Sequence, residues 1–410
     1  VVFGIMAISM PLYKKVQKQL DQVLLATREN LVGARVIRAF NRQEDEIRNF
    51  DQSNSRLVDL QVFVGKISAL MNPLTYVMIN VATLLLVWVA GKQVDAGIIT
   101  QGETVALVNY MSQILVELVK LANLIVTISK SLACANRISS VFEEKSSITE
   151  TDGSRVEIRE NPPKVEFINM DFAYQGAKAE ALQDVSFSVK KGQTIGIIGG
   201  TGSGKSTLVN LIPRFYDVSG GVVKVDGVDV RDYPLDQLRE KIGMVPQKAV
   251  LFKGTIRENM KWGKRDATDQ EIEYALALAQ AREFVEEKDG KLDFGVEQGG
   301  KNLSGGQRQR LTIARALVKQ PEILIMDDSA SALDFATDAK LRKAIREGTR
   351  DMTVFLVSQR AATIKYADQI IVLDDGHVAG IGTHTELLEA CQVYREICLS
   401  QLSKEEVERS

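Results

Sequence analysis

Between Lys66 and Lys92 the chain carries no charged residue. At a rise of ~1.5 Å per residue, Ile67 to Gly91 predicts a helix long enough to cross a ~30 Å hydrocarbon core with some tilt. A charge-free run of this length argues against a helix buried in a large soluble protein. Thr104 to Val116 is a second uncharged run, and it continues past Glu117 and Lys120 into Leu121 to Ser129. The short polar connection from Gly91 to Gly102 makes the two an antiparallel hairpin of membrane helices, the second one polar inside. Val1 to Tyr13 is also uncharged and begins without Met, and it has neither the basic n-region nor the cleavage site of a signal peptide. It reads as a helix cut within the membrane, and the chain as part of a longer one. Pro11 to Phe50 is amphipathic and charged, which predicts long helices running out of the membrane.

The pattern changes after Ala135. Glu143 to Pro163 is polar, with Ser, Thr, Asp, Gly and a Pro pair, and reads as a linker. Beyond it β-branched strands alternate with amphipathic helices, as in a P-loop α/β fold. The expected organisation is a membrane α-helical bundle, present in part, over residues 1–142, a linker over 143–163, and an α/β domain over 164–410.

Composition narrows the function classes. There are 51 Lys and Arg against 53 Asp and Glu, so nothing global suggests a nucleic-acid partner. Cys134, Cys391 and Cys398 have no metal-ligand spacing and an odd count, which favours reduced thiols. The histidines are His377 and His384 alone.

The candidate chemistry begins where the apolar strand Ile195 to Ile198 runs into Gly199-Gly200-Thr201-Gly202-Ser203-Gly204-Lys205-Ser206-Thr207. This is a complete phosphate-binding loop between a strand and a helix, the context the motif requires. Its glycines let backbone N–H groups turn toward phosphates, and the helix N-terminus adds partial positive charge. Lys205 would reach the β- and γ-phosphates of ATP, and Ser206 would ligate Mg²⁺. Asp327 ends the apolar strand Ile323 to Asp327 and would hold the metal's water shell.

Leu303-Ser304-Gly305-Gly306-Gln307 is a full copy of the ABC signature, and with it the chain resembles an ABC exporter half-transporter along its whole length. The resemblance implies further roles. Tyr174 matches the aromatic that stacks on adenine. Gln247 matches the Q-loop glutamine, a contact to Mg²⁺ that responds to the membrane domain. Glu297-Gln298-Gly299-Gly300 matches the X-loop and Ser331-Ala332-Leu333-Asp334 the D-loop. Glu29 to Phe40 resembles the segment before an intracellular coupling helix, which would be Asn41 to Ile47. In such dimers two domains sandwich two ATP molecules head to tail. Ser304, Gly305, Gly306 and Gln307 would then act in trans on the partner's γ-phosphate, helped by the dipole of the helix that opens there.

Two positions depart from the family's hydrolytic pattern. Asp328 stands where such a site has Glu, and Gln359, after Val354 to Ser358, where it has His. A carboxylate must reach the attacking water in line with the γ-phosphate. Asp is one methylene short, and a ~1 Å misplacement costs on the order of 10²-fold. Gln359 can donate a hydrogen bond but cannot carry a proton. The pattern implies a half-transporter that binds ATP, hydrolyses it poorly, and serves a partner half-transporter carrying the Glu and the His. The expected setting is the cell membrane, crossed several times, with the ATPase domain cytoplasmic and a small amphipathic drug or lipid as substrate. A slow homodimer, a peptide exporter, a non-hydrolysing regulatory subunit and a soluble ABC ATPase acting on nucleic acid are the alternatives. The apolar runs and the absence of a basic patch argue against the last.

The membrane helices hold one more pattern. Asn72, Tyr76, Asn80 and Thr83 fall at offsets 0, 4, 8 and 11, and Asn109, Gln113, Glu117 and Lys120 repeat those offsets. Each set spans an arc of roughly 80° on a helix. Polar side chains at this depth line a pathway or bond between helices, and both readings stand here.

Overall fold

The computed structural model describes residues 2–144, 146–148, 161–329, 333–349 and 351–401. The chain divides into two compact units, Val1–Glu144 and Lys145–Ser410.

The first unit is four helices, α1 (Val2–Ala39), α2 (Gln43–Ala69), α3 (Met71–Asp95) and α4 (Gln101–Glu143). Asn41 breaks the first pair at φ 51°, a left-handed conformation that Asn tolerates. Glu44, Asp45 and Glu46 then occupy the first turn of α2, where negative charge suits the helix dipole. The segment Asn41 to Ile47 is thus this turn and the opening of α2. The expected helix from Ile67 to Gly91 is interrupted. Pro73 has no N–H to donate to the Ala69 carbonyl, and its ring crowds that oxygen. α2 therefore stops at Ala69, and the Leu70 N–H falls back on Ile67 O at 3.3 Å. α4 starts on a capping box, in which Thr100 accepts from the Glu103 N–H at 3.2 Å and Glu103 accepts from the Thr100 N–H at 2.7 Å. Its 43 residues extend ~65 Å, beyond any hydrocarbon core. Among the described residues the stretch Gln43–Asp95 is long and apolar enough to cross a membrane. Leu84, Trp88 and Ile114 expose more than half of their surface, as side chains facing lipid do.

The second unit holds β1 (Val165–Phe172), β2 (Leu182–Val189), β3 (Thr194–Gly199), β4 (Gly220–Val225), β5 (Val228–Asp229), β6 (Ile242–Val245), β7 (Gly254–Thr255), β8 (Gly295–Val296), β9 (Ile323–Asp327), β10 (Thr353–Val357), β11 (Gln369–Asp374) and β12 (His377–Gly382). The central sheet runs β12-β11-β3-β10-β9-β6. All its pairings are parallel except β11 with β12. Every residue of β9 and β10 is buried, as expected of strands covered on both faces. The side chains alternate between two cores. Ile198, Leu324, Met326 and Val354 pack with Leu311, Leu341 and Tyr394 of the helical layer. Ile197, Ile325, Phe355 and Val357 pack with Phe167, Met170 and Phe187 of the antiparallel sheet β2-β1-β4-β5. Each such buried aliphatic contributes roughly 1.5–3 kcal/mol.

A charge cluster locks the two sheets together at one edge. Lys164, 4% exposed, donates to Asp226 at 2.8 Å and to Glu322. Lys241 donates to the other Asp226 oxygen at 2.6 Å. Burial pushes the Asp226 carboxyl up, but the two lysines outweigh it and hold the group below the ordinary range.

Candidate nucleotide-binding site

The carboxyl ends of the parallel strands converge on one cleft, the place where open α/β sheets bind ligands. It measures about 290 Å³ and is lined by Tyr174, Thr201, Gly202, Gly204, Lys205, Ser206, Thr207, Gln247, Asp327, Asp328, Ser358 and Gln359, with Ala181 and Val357. A larger cavity of about 570 Å³ lies at the opposite end of the strands and includes Thr194, Arg342 and Tyr366 but none of the motif residues. Chemistry, not size, selects the smaller one.

Behind the phosphate loop, crowding leaves room only for glycine at Gly199, the last residue of β3, and at Gly204. A Cβ on Gly199 would stand 2.1 Å from Leu373 O, and one on Gly204, at φ 93°, would stand 2.6 Å from Leu182. On the cleft side the opposite holds: nothing lies within 4 Å of a Cβ at Gly200 or Gly202. The loop is pinned from behind and open in front, the shape of a cradle for phosphate. Lys205 is buried and donates to the Gly199 carbonyl at 3.0 Å, the Gly200 carbonyl at 2.5 Å and Ser203 Oγ at 3.4 Å. Burial lowers its pKa, and the neighbouring Asp328 and Asp327 offset this in part. A buried ammonium held by neutral carbonyls fits a polyanion well.

Ser206 Oγ donates to Asp327 Oδ1 at 2.9 Å. The two expected metal oxygens are therefore neighbours. Among the described residues no group of three or more His, Cys, Asp or Glu could hold a metal. Ser206 and Asp327 are the residues that would hold a cation there, and their hydroxyl and carboxylate oxygens suit Mg²⁺. Burial raises the Asp327 pKa, helped by the charge on Asp328 and opposed by the Ser206 bond. Asp328 is raised too, chiefly by burial, and a hydrogen bond with Gln247 and the charges of Arg360 and Lys205 oppose it. A bound cation would favour the charged form of both carboxylates. Asp328 sits at φ 43° with its N–H on Val357 O at 3.0 Å, so the adjoining strand β10 fixes where its side chain starts.

The remaining members come from flanking elements. The Tyr174 hydroxyl lies 2.9 Å from Thr207 Oγ1, and its ring meets Phe172 and Tyr216 edge-on at 4.8 and 5.3 Å. Gln359 is exposed in the cleft, directly after the buried Ser358, whose N–H donates to Ile197 O at 3.0 Å. Ala181 and Ser358 also line the cleft, outside the motifs that the sequence displays. Ala181 belongs to the connection between β1 and β2, and no spacing pattern marks it.

The signature stands apart. Ser304, Gly305, Gly306 and Gln307 do not line the cleft. Ser304 caps the helix Gly305–Leu317: its Oγ accepts from the Gln307 N–H at 3.2 Å, and Gln307 Oε1 accepts from the Ser304 N–H at 3.0 Å. Ser304 and Gly305 are exposed, so this helix N-terminus presents free donors outward. Of the expected D-loop, Ser331 and Ala332 lie outside the described residues. Leu333 is buried, and Asp334 caps the following helix by accepting from the Thr337 N–H at 2.9 Å.

In the first unit Tyr76, Asn80, Asn109, Gln113 and Glu117 are exposed, and the side chain of Asn72 lies outside the described residues. Glu117 pairs with Lys120 at 2.7 Å. The shallow groove beside Gln113 and Glu117 is lined by α4 alone.

Residues 182–331 match the family described as ABC transporter, and residues 1–118 match the ABC transporter transmembrane region. An uncharacterized ABC transporter ATP-binding protein of Mycobacterium tuberculosis is 39% identical over 97% of this chain and 69% of its own length. A putative multidrug export ATP-binding/permease protein of Bacillus subtilis is 36% identical over 92% of this chain and 65% of its own. The structure of a bacterial Atm1-family ABC exporter with ATP bound shares the fold with a TM-score of 0.86 and 28% identity, over 98% of this chain and 71% of that one. With the phosphate cradle, the signature and the membrane helices on one polypeptide, the chain belongs to the ABC transporters as a half-transporter.

Proposed function

We propose that this protein is one half of a heterodimeric ABC exporter that moves small amphipathic compounds, drug-like or lipid-like, out of the cell. The observation that carries the reading is a cleft that brings Tyr174, Lys205, Ser206, Gln247 and Asp327 together with Asp328 and Gln359, the two residues that depart from the family's hydrolytic pattern. The phosphate loop, Lys205 and Tyr174 bind and orient ATP, and Ser206, Gln247 and Asp327 hold Mg²⁺. When bound, that cation would supply charge to offset the phosphate oxygens. Asp328 then lacks reach toward the attacking water, and Gln359 holds a hydrogen bond without moving a proton.

The exposed signature supports the second half of the reading. Ser304 and the Gly305–Gly306 backbone cap the γ-phosphate of ATP bound to a partner that carries the Glu and the His. ATP closing the two domains drives the membrane helices between inward- and outward-facing states. The protein then lies in the cell membrane with its ATPase domain in the cytoplasm. Asn80, Gln113 and their stripes line the substrate pathway. The export function named for the Bacillus subtilis relative agrees with this.

The test is turnover by the purified full-length protein without a partner. Tight ATP binding with very slow hydrolysis is expected. Vigorous ATPase activity that Lys205→Ala abolishes would refute the reading.

A further inference from the structure

Gln401, on the helix Gln392–Gln401, lies against the switch loop, residues 358–360, which follows β10 and carries Gln359. Gln401 Nε2 donates to the Gln359 carbonyl at 2.7 Å, and Gln401 Oε1 accepts from the Ala361 N–H at 2.9 Å. One amide thus bridges the two peptide groups that flank Arg360. The short helix Ala361–Ile364 needs that acceptor, because Arg360 at its N-cap makes no side-chain cap bond. Ala361 is fully buried, so without Gln401 its N–H would lack a partner and water would not replace it.

The placement of Gln401 is itself fixed. Tyr394 and Cys398, on the same helix, are fully buried, and the Tyr394 hydroxyl lies 2.7 Å from His384 Nδ1. On the other flank Ser358 is tied to β3 through Ile197 O at 3.0 Å, and its Oγ accepts from the Arg360 N–H at 3.0 Å. Gln359, which lines the cleft, therefore stands between a strand-side anchor and a helix-side anchor.

We propose that Gln401 is a positioning residue for the switch loop, through which the C-terminal helix sets where Gln359 stands against bound nucleotide. Seating of that helix and retention of ATP then form one coupled equilibrium, and linkage makes the coupling reciprocal.

The test compares unmodified transporter with Gln401→Leu, Gln401→Glu and Ser400→Ala, each in the assembled complex. Two quantities are read: hydrogen exchange across Gln359 to Ile364, and release of a fluorescent ATP analogue from this chain's site. Leu keeps the bulk and removes both bonds. It should speed exchange at the Ala361 amide about fivefold, the worth of one net hydrogen bond, and speed analogue release about threefold or more by the same reasoning. Glu keeps the acceptor and loses the donor, so Ala361 stays protected while release still quickens. A helix end with a merely structural role would not separate these two variants. Ser400→Ala, one residue earlier, should change neither quantity. If Leu leaves either quantity within about twofold of the unmodified protein, a margin below the worth of one hydrogen bond, or if Ser400→Ala reproduces its effect, the proposal falls. The release arm rests on slow hydrolysis at this site, whereas the exchange arm does not. Rapid hydrolysis there would refute the slow-site reading and leave exchange to decide this one.

Discussion

Lengthening the carboxylate, Asp328→Glu, measures how much of the proposed catalytic deficit lies in reach alone. One methylene returns the oxygens by roughly a bond length, and closing a ~1 Å gap recovers on the order of 10²-fold, about 2.7 kcal/mol. Asp328 sits at φ 43°, where Asp is several-fold enriched over other L-residues, so Glu gives back about 1 kcal/mol. The net gain of about 1.7 kcal/mol predicts about a 20-fold faster own-site rate. The assay is ATP turnover in a complex whose partner site has been silenced at its catalytic Glu, so that only this chain's cleft is read. In a complex with an active partner site the same change should leave total turnover within about twofold, because the own site starts far behind. A rise to the rate of a fully hydrolytic site would show that Gln359 imposes no barrier. No rise, with ATP binding intact, would show that carboxylate reach was never limiting.

Other consequences follow from the same geometry. Lys164→Met removes the central cation of a buried cluster and should cost about 3 kcal/mol, the lower edge for a broken buried pair because Lys241 still holds Asp226; chemical denaturation reads it. The Asp226 carboxyl is held below its ordinary value, so its stabilisation is present above the normal Asp range and is lost as pH falls through the depressed folded value. Acid unfolding curves should show this step in the unmodified protein and a smaller one in Lys164→Met. Replacing Asn80 or Gln113 by Leu should alter stimulation of the ATPase by substrate more than basal activity. Unchanged stimulation with lowered thermal stability would assign those residues to packing between helices.

Much of the ATPase unit was legible because its signals are local. A strand, a glycine loop and a helix follow one another from Ile195 to Leu211, and the φ values of Gly202 and Gly204 demand glycine where the sequence has it. The apolar runs of β9 and β10 read directly as doubly covered strands. Less was legible where distant segments meet. The Lys164–Asp226–Lys241–Glu322 cluster joins four separated stretches, and nothing in their spacing announces it. The same holds for Tyr174 over Thr207 and for Gln401 on the switch loop. The break at Leu70 was present in the sequence as Pro73, yet the apolar run masked it, because hydropathy is blind to a missing N–H.

The central claim is a division of labour between two sites, and the most direct measurement ranks two kinds of damage in one complex. Ser304→Ala removes a hydroxyl donor from the exposed signature, Gly306→Asp sets a carboxylate against its backbone donors, and Asp328→Glu makes a conservative change in this chain's own cleft. If the signature serves the competent site of the partner, losing a donor or opposing the γ-phosphate with a carboxylate costs about 3 kcal/mol, a hundredfold or more in steady-state ATPase activity. Asp328→Glu should leave that activity nearly unaltered. Near-normal turnover in the signature variants would place the competent site elsewhere and contradict the account.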